Sequence, residues 1–276
     1  MTAAALGEPG RASAGIDRLR WAVIDAFTIT QRDLIVWRRV PAFLVFTLVQ
    51  PVMFTLLFVY VFGGAISVGT PGGYVNYLMP GIIGQTAAFA SFGTAIALSR
   101  EVQKGVLDRF RSMPMARSAV LAGRLIADSA RMLVTILVIV AVGYAVGFRF
   151  MNGVGPAIGM VALAEFFGLT VCCVSAYIGL TIKDEESVQA FGLIWVFPLT
   201  FVSSAFVPIA SMPGWLQGFA KNQPVTLVID SMRYLALGPV PGARTLEPQL
   251  WQSVLWLLGA LALFGPLAVR AYRRVS

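Results

Sequence analysis

The sequence contains no histidine. That absence removes Ser-His-Asp and Cys-His catalysis, histidine-ligated metals and histidine proton switches together. Cysteine is almost missing: Cys172 and Cys173 stand side by side within an apolar run. Adjacent cysteines make a poor disulfide and too few ligands for zinc, which leaves small buried apolar residues as their reading. Charge is scarce as well, at 12% of residues, about half of what a soluble domain carries. Lysine occurs three times against eighteen arginines, a bias that fits a GC-rich bacterial genome. No G-x-x-x-x-G-K-[ST] phosphate loop occurs, so the chain is not expected to hydrolyse ATP alone. No short apolar leader precedes the first long apolar run near Ala42, so no secretory signal is expected.

What the chain does have is apolar length. Hydrophobic residues make up 58% of its 276 positions. Several runs reach the roughly 20 residues a helix needs to cross a bilayer. The expected class is an all-α polytopic membrane protein. Residues 1–15, rich in Ala, Gly and Ser, read as a disordered N-terminus, and 16–276 as a single transmembrane domain. Residues 16–39 read either as an amphipathic helix at the membrane interface, with Ile16, Leu19, Val23 and Phe27 on one face, or as an ordinary basic flank. Six spans follow, at about 42–62, 78–98, 132–148, 154–182, 188–207 and 250–269. Gly63–Asn76 reads as an uncharged polar loop. Pro208–Gln249 is too broken by Pro and Gly to cross as one helix.

The net charge of +8 could suit nucleic acid, but its placement argues against that partner. The termini and the even-numbered connections hold 17 of the basic residues, against Arg149, Lys221, Arg233 and Arg244 elsewhere. By the positive-inside rule, both termini face the cytoplasm. The segment Ser99–Arg124, with six basic and two acidic residues, then lies inside, and Pro208–Gln249 lies outside.

Within that inner segment, Ser99–Arg117 reads as a helix with Val102, Val106, Phe110 and Met113 in an apolar stripe, ending near Pro114. It reads equally as a solvated basic loop that only sets topology. Arg124, Asp128 and Arg131 read as an ion-pair strip on the inner extension of the third span. Asp230 and Arg233 can pair at i,i+3. Glu165 is the one acid deep in a span, a candidate contact for a cationic substrate or a partner for a neighbouring helix. Phe54, Phe58, Phe89, Phe92 and Phe197 read either as pathway walls or as packing and lipid-facing residues.

The pattern Arg100-Glu101-x-x-x-Gly105-x-x-x-Arg109-x-Arg111-x-x-Pro114-x-x-Arg117 resembles the cytoplasmic loop of type-2 permeases of ATP-binding-cassette (ABC) exporters. Phe206-Val207-Pro208, Ser211-Met212-Pro213-Gly214-Trp215-Leu216, Asn222-Gln223-Pro224-Val225-Thr226 and Asp230-Ser231-Met232-Arg233 resemble the outer loop of the daunorubicin-resistance-type branch. The resemblance covers about residues 16–270. It implies that Arg100, Glu101, Gly105, Arg109, Arg111, Pro114 and Arg117 lie at or near a separate ATPase subunit. It also implies outer re-entrant helices closing an exit, with Pro208, Pro213, Trp215, Pro224, Asp230 and Arg233 as the outer gate. Further implied are two ATPase copies carrying ATP and Mg, a second permease copy or a sister permease, and a place in the bacterial inner membrane. The chain itself then binds no cofactor. The cargo is a hydrophobic or amphiphilic drug, antibiotic or lipid. Rival readings are a permease for lipid-linked polysaccharide, a non-transporting membrane scaffold, and an intramembrane protease. The absent histidine and the lack of paired intramembrane aspartates oppose the last.

Overall fold

The computed structural model describes residues 41–66, 68–105, 117–182, 184–239 and 246–274, and every regular element among them is helical. The N-terminal stretch 1–15, the segment 16–39, and Arg109, Arg111 and Pro114 lie outside the described residues.

Helix α1 covers Pro41–Leu57 and runs on into a π-helical turn at Phe58–Phe62. Pro51 sits inside it and cannot donate a backbone hydrogen bond. Separately, Thr55 Oγ1 donates to the Pro51 carbonyl at 2.8 Å, the hydroxyl being satisfied one turn back within the same helix.

Helix α2 is Gly73–Gln103, α3 is Arg117–Ala145, α4 is Val154–Thr181 and α5 is Glu185–Phe201. Two short helices, α6 (Gly214–Asn222) and α7 (Pro224–Leu237), precede the long α8 (Leu246–Arg274). Stretches of α2, α3, α4 and α8 are long and apolar enough to cross a membrane. The apolar α1 and α5, 17 residues each, are shorter.

Helices α2 and α4 pack most extensively and form the centre, with α8, α7, α5 and α3 arranged around them. Leu78, Met79, Ile82 and Ile83 of α2 meet Ile136 and Ile139 of α3, Met160 of α4, and Ile229 and Met232 of α7 in one fully buried cluster. Gly179 permits a close approach of α4 to α2: a Cβ there would stand 2.3 Å from the Ala95 carbonyl oxygen. Against this, α8 is largely uncovered, with Trp251, Leu255, Trp256 and Leu263 exposed along it.

Several expected boundaries move, and α3 already begins at Arg117, well before the expected start near 132. Helix α2 begins at Gly73, five residues before the expected start, inside the stretch read as a loop. Tyr74, Asn76 and Tyr77 are buried there, because their polar groups bond to neighbouring backbone or, at Tyr77, also face Arg233. Helix α5 ends at Phe201, six residues before the expected end. Ser203 Oγ competes with the helix ladder by accepting from the Ala205 N–H at 3.1 Å.

The expected helix over Ser99–Arg117 is interrupted. Ser99–Gln103 belongs to α2, which stops where Gly105 takes a φ of 64°, a left-handed value that suits glycine just past a helix C-terminus. Arg117 opens the next helix.

Candidate functional site

Three polar constellations run along the bundle, and their residues come from helices far apart in sequence.

At the Arg100 end, two consecutive residues of α2 reach to two different helices. Arg100 binds Glu185, in the first turn of α5, through both Nε and Nη2. Glu101 accepts from Arg124 Nη1 of α3 at 2.7 Å, with both side chains mostly covered. Asp184 caps α5 by accepting from the Ser187 N–H at 2.8 Å, and Glu185 and Glu186 place negative charge against the positive end of the helix dipole. The hydrogen bond from Arg100 holds the Glu185 carboxyl below its ordinary range. A small apolar cluster of Leu98, Leu121, Leu180, Ala268 and Tyr272 lies beneath these pairs and joins α2, α3, α4 and α8.

Midway along the bundle, Asp128 of α3 is buried at 8% exposure. Its Oδ2 accepts from Thr94 Oγ1 of α2 at 2.7 Å, and its Oδ1 lies 3.0 Å from Arg131 Nη2. The Cys172 thiol of α4 stands 3.6 Å from the same Thr94 hydroxyl. Ser175 Oγ donates to Ser91 Oγ at 3.0 Å, and Ser129 Oγ donates to Glu165 Oε2 at 2.8 Å. Such pairing lets polar groups sit in an apolar bundle without a large desolvation penalty. The expected strip of Arg124, Asp128 and Arg131 is thus divided. Arg124 turns to Glu101, while Asp128 and Arg131 point into the bundle near the midpoint of the 29-residue α3.

Beside this seam lies a cleft of about 440 Å³ between α1, α2, α3 and α5. Its wall carries Phe54, Phe89 and Phe92 together with Gln50, Gln85, Arg131, Thr135 and Gln189. Gln85 is 5% exposed, and no described residue hydrogen-bonds to its amide. Gly192 lets α5 pass tightly against the ring of Phe92. Of the other aromatics, Phe58 stacks on Phe206 at 4.5 Å and Phe197 on Phe201 at 4.2 Å, so both serve packing. Glu165 is not on the cleft wall; it faces Ser129 instead.

The opposite, Arg233 end is organised by a buried arginine. Arg233 of α7 is 6% exposed. Its Nε donates to the Tyr77 carbonyl at 3.1 Å, its Nη2 to the Ser204 carbonyl at 2.7 Å, and its Nη1 to Asp230. The guanidinium also lies 3.8 Å from the centre of the Tyr77 ring. Ser204 Oγ donates to Asp230 Oδ1 at 2.6 Å, and the Tyr77 hydroxyl to the Ser204 carbonyl at 2.9 Å. Gln223 Nε2 donates to the Leu199 carbonyl at 2.8 Å, taking up a C-terminal carbonyl of α5. Pro224 opens α7 at the position where a missing N–H costs nothing. Pro208 and Pro213 bracket the 3-10 turn Ile209–Ser211 and lead into α6, where Trp215 is 82% exposed.

Sequence reasoning singled out Asp230 and Arg233 but not their partners Tyr77 and Ser204. It also passed over Gln50, Gln85 and Gln189. A glutamine inside an otherwise apolar span was the available signal for Gln85.

Long apolar helices with paired charges at one end define the class first: a helical membrane protein. Residues 25–237 match the ABC-2 type transporter family, and the chain belongs to that family. It is 31% identical over 255 residues to a daunorubicin resistance ABC transporter permease protein, DrrB1, of Streptomyces coeruleorubidus, covering 91% of this chain and 87% of that one. It is 30% identical over 269 residues to a probable doxorubicin resistance ABC transporter permease protein, DrrC, of Mycobacterium tuberculosis, covering 97% of this chain and 95% of that one. A putative transport permease, ycf38, of Pyropia yezoensis is 29% identical over 211 residues, covering 75% of this chain and 72% of that one.

Proposed function

We propose that the chain is the membrane-spanning subunit of a bacterial ABC exporter, moving hydrophobic or amphiphilic compounds outward by alternating access. The observation that carries the reading is the family match over residues 25–237, together with relatives that are drug-resistance permeases along nearly their whole length. All six expected spans correspond to helices, which supports a six-span frame with both termini in the cytoplasm.

In this reading the Arg100 end meets an ATPase subunit that carries ATP and Mg. Gly105 ends α2 and Arg117 opens α3, so Arg109, Arg111 and Pro114 fall on the connection between them. A push on that connection acts on α2 and α3 directly, and on α5 through Arg100 and Glu185. Two permease subunits and two ATPases form the working assembly. The Arg233 end forms the outer gate, with Pro208, Pro213, Trp215 and Pro224 shaping its short helices. Glu165 acts in helix pairing with Ser129 rather than on the cargo.

Co-expression with ABC ATPases of the same organism tests the assembly. The permease and one such ATPase are expected to co-purify and to hydrolyse ATP. A permease that purifies with no ATPase would sink the reading and return the scaffold alternative.

A further inference from the structure

We propose that α8 holds an anionic glycerophospholipid of the cytoplasmic leaflet, with an acyl chain in a groove at Gly259 and the phosphate at Arg270 and Arg274. The inference rests on the membrane class, and on the inward-facing termini for the choice of leaflet. It does not rest on export.

The uncovered face of α8 is the first observation. Its apolar stretch is long enough to span a bilayer, yet only 11% of it is buried within the chain. A groove of about 400 Å³ runs along it, lined by Leu255, Trp256, Gly259, Ala260, Leu263 and Phe264. Gly259 keeps the groove open, since an added Cβ would meet nothing within 4 Å. Phe264 is backed by the Tyr177 ring of α4, with centroids 5.9 Å apart. The second observation is charge. Arg270 and Arg274 are exposed, and neither is held by a hydrogen bond or ion pair among the described residues. Trp256, Leu263, Arg270 and Arg274 follow at intervals of seven, seven and four, which keeps them on one side of the helix. The groove thus leads to two unclaimed guanidinium groups. The third observation is length. Gly259 stands eleven residues before Arg270, about 16 Å along the helix. Half the hydrocarbon core of a bilayer is about 15 Å. With Arg270 at the headgroup level, the groove reaches the depth of one leaflet's acyl chain.

Charge also decides between lipid and a second copy of the chain. Two copies joined symmetrically through this face would bring Arg270 and Arg274 against their own counterparts. The one acid of α8, Glu247, lies at its other end and cannot relieve that repulsion. An anionic phosphate supplies the missing counter-charge, and basic side chains at a membrane surface attract such heads. A zwitterionic head brings its own ammonium beside the phosphate and gains less.

The test places the full chain in phosphatidylcholine nanodiscs with a small fraction of a photoreactive lipid. That lipid is phosphatidylglycerol or phosphatidylcholine, each with the same diazirine-bearing acyl chain. After irradiation, the labelled peptides are mapped by mass spectrometry. Phosphatidylglycerol is expected to label residues 255–264 about fivefold more than phosphatidylcholine does. Arg270→Gln together with Arg274→Gln should bring the two lipids to within about twofold there. Gly259→Leu fills the groove from an open position and should remove most of the labelling by either lipid. Equal labelling by both lipids in the unmodified chain overturns the proposal, as does a preference that survives loss of both arginines. Labelling that Gly259→Leu leaves unchanged marks ordinary bilayer contact and overturns the groove. Disulfides between copies through Leu263→Cys, with no lipid label on this stretch, assign the face to a second copy and overturn it too. The readout needs no ATP hydrolysis, so it stands or fails apart from the exporter reading.

Discussion

Glu101, at the end of α2, accepts a hydrogen bond from Arg124 of α3 at 2.7 Å, so the residues on either side of the Gly105 break are fastened to each other within the chain. Its neighbour Arg100 fastens α2 to α5 in the same way. Whatever moves the connection between α2 and α3 therefore moves three helices.

Glu101→Lys sets two cations against each other at a mostly covered position. We expect a loss of about 1–2 kcal/mol, between the values for exposed and buried pairs. Thermal unfolding of the purified chain measures it. The swapped pair Glu101→Arg with Arg124→Glu should recover most of the loss. Failure of the swap to recover stability would mean that Glu101 acts mainly outside this pair.

Acid should open the α2–α5 link late. Arg100 holds the Glu185 carboxyl below its ordinary range, chiefly through their hydrogen bond. A carboxylate with a lowered folded value contributes its stability above the unfolded value and loses it as pH falls through the folded one. The link is thus intact at neutral and mildly acid pH and releases only below the ordinary glutamate range. Spin labels near the ends of α2 and α5 should show their distance steady from neutral to mildly acid pH and broadening below it. Glu185→Gln should show the broad distribution at every pH.

Arg233 is expected to be the least replaceable side chain at its end of the bundle. Arg233→Ala takes one donor each from the Tyr77 and Ser204 carbonyls, the latter keeping only the Tyr77 hydroxyl, and leaves Asp230 without its cation, a loss of about 3–5 kcal/mol. Arg233→Lys should recover little of it, because an ammonium cannot reproduce the planar fork that reaches Asp230 and two carbonyls. The yield of folded protein in mild detergent, with unfolding temperature beside it, reads this directly. A fully stable lysine variant would contradict the geometry.

At Gly179 the neighbour of an added methyl group is the Ala95 backbone of the adjacent helix, which cannot swing aside as a side chain does. Gly179→Ala should force α4 away from α2 and cost about 1–3 kcal/mol. Gly259→Ala on α8, with nothing near its added Cβ, is the control and should be neutral or slightly stabilising.

Much of this frame is legible in the sequence because bilayer helices are written as long apolar runs. The run at 154–182 is helical almost throughout, as Val154–Thr181. What the runs do not encode is where a helix stops when polar side chains take over backbone groups at its end, the Ala205 N–H by Ser203 and the Leu199 carbonyl by Gln223 after α5. Nor does periodicity reveal that a glycine will turn left-handed, which is why the expected helix over Ser99–Arg117 breaks at Gly105. The i,i+3 pair of Asp230 and Arg233 is local and could be read from spacing. Arg100 with Glu185, Thr94 with Asp128, and Arg233 with Tyr77 are long-range and could not. The cleft wall draws on α1, α2, α3 and α5, so only the packed bundle brings Gln50, Gln85, Arg131 and Gln189 together.

The central claim is that this chain carries compounds outward when a partner hydrolyses ATP. The most direct measurement is uptake of a fluorescent amphiphile into inside-out proteoliposomes holding the permease with its ATPase. The account predicts accumulation that requires both ATP and Mg and collapses when the connection between α2 and α3 is altered at Arg109, Arg111 and Pro114 together. A complex that hydrolyses ATP yet moves none of a broad set of neutral, anionic and cationic amphiphiles would contradict it.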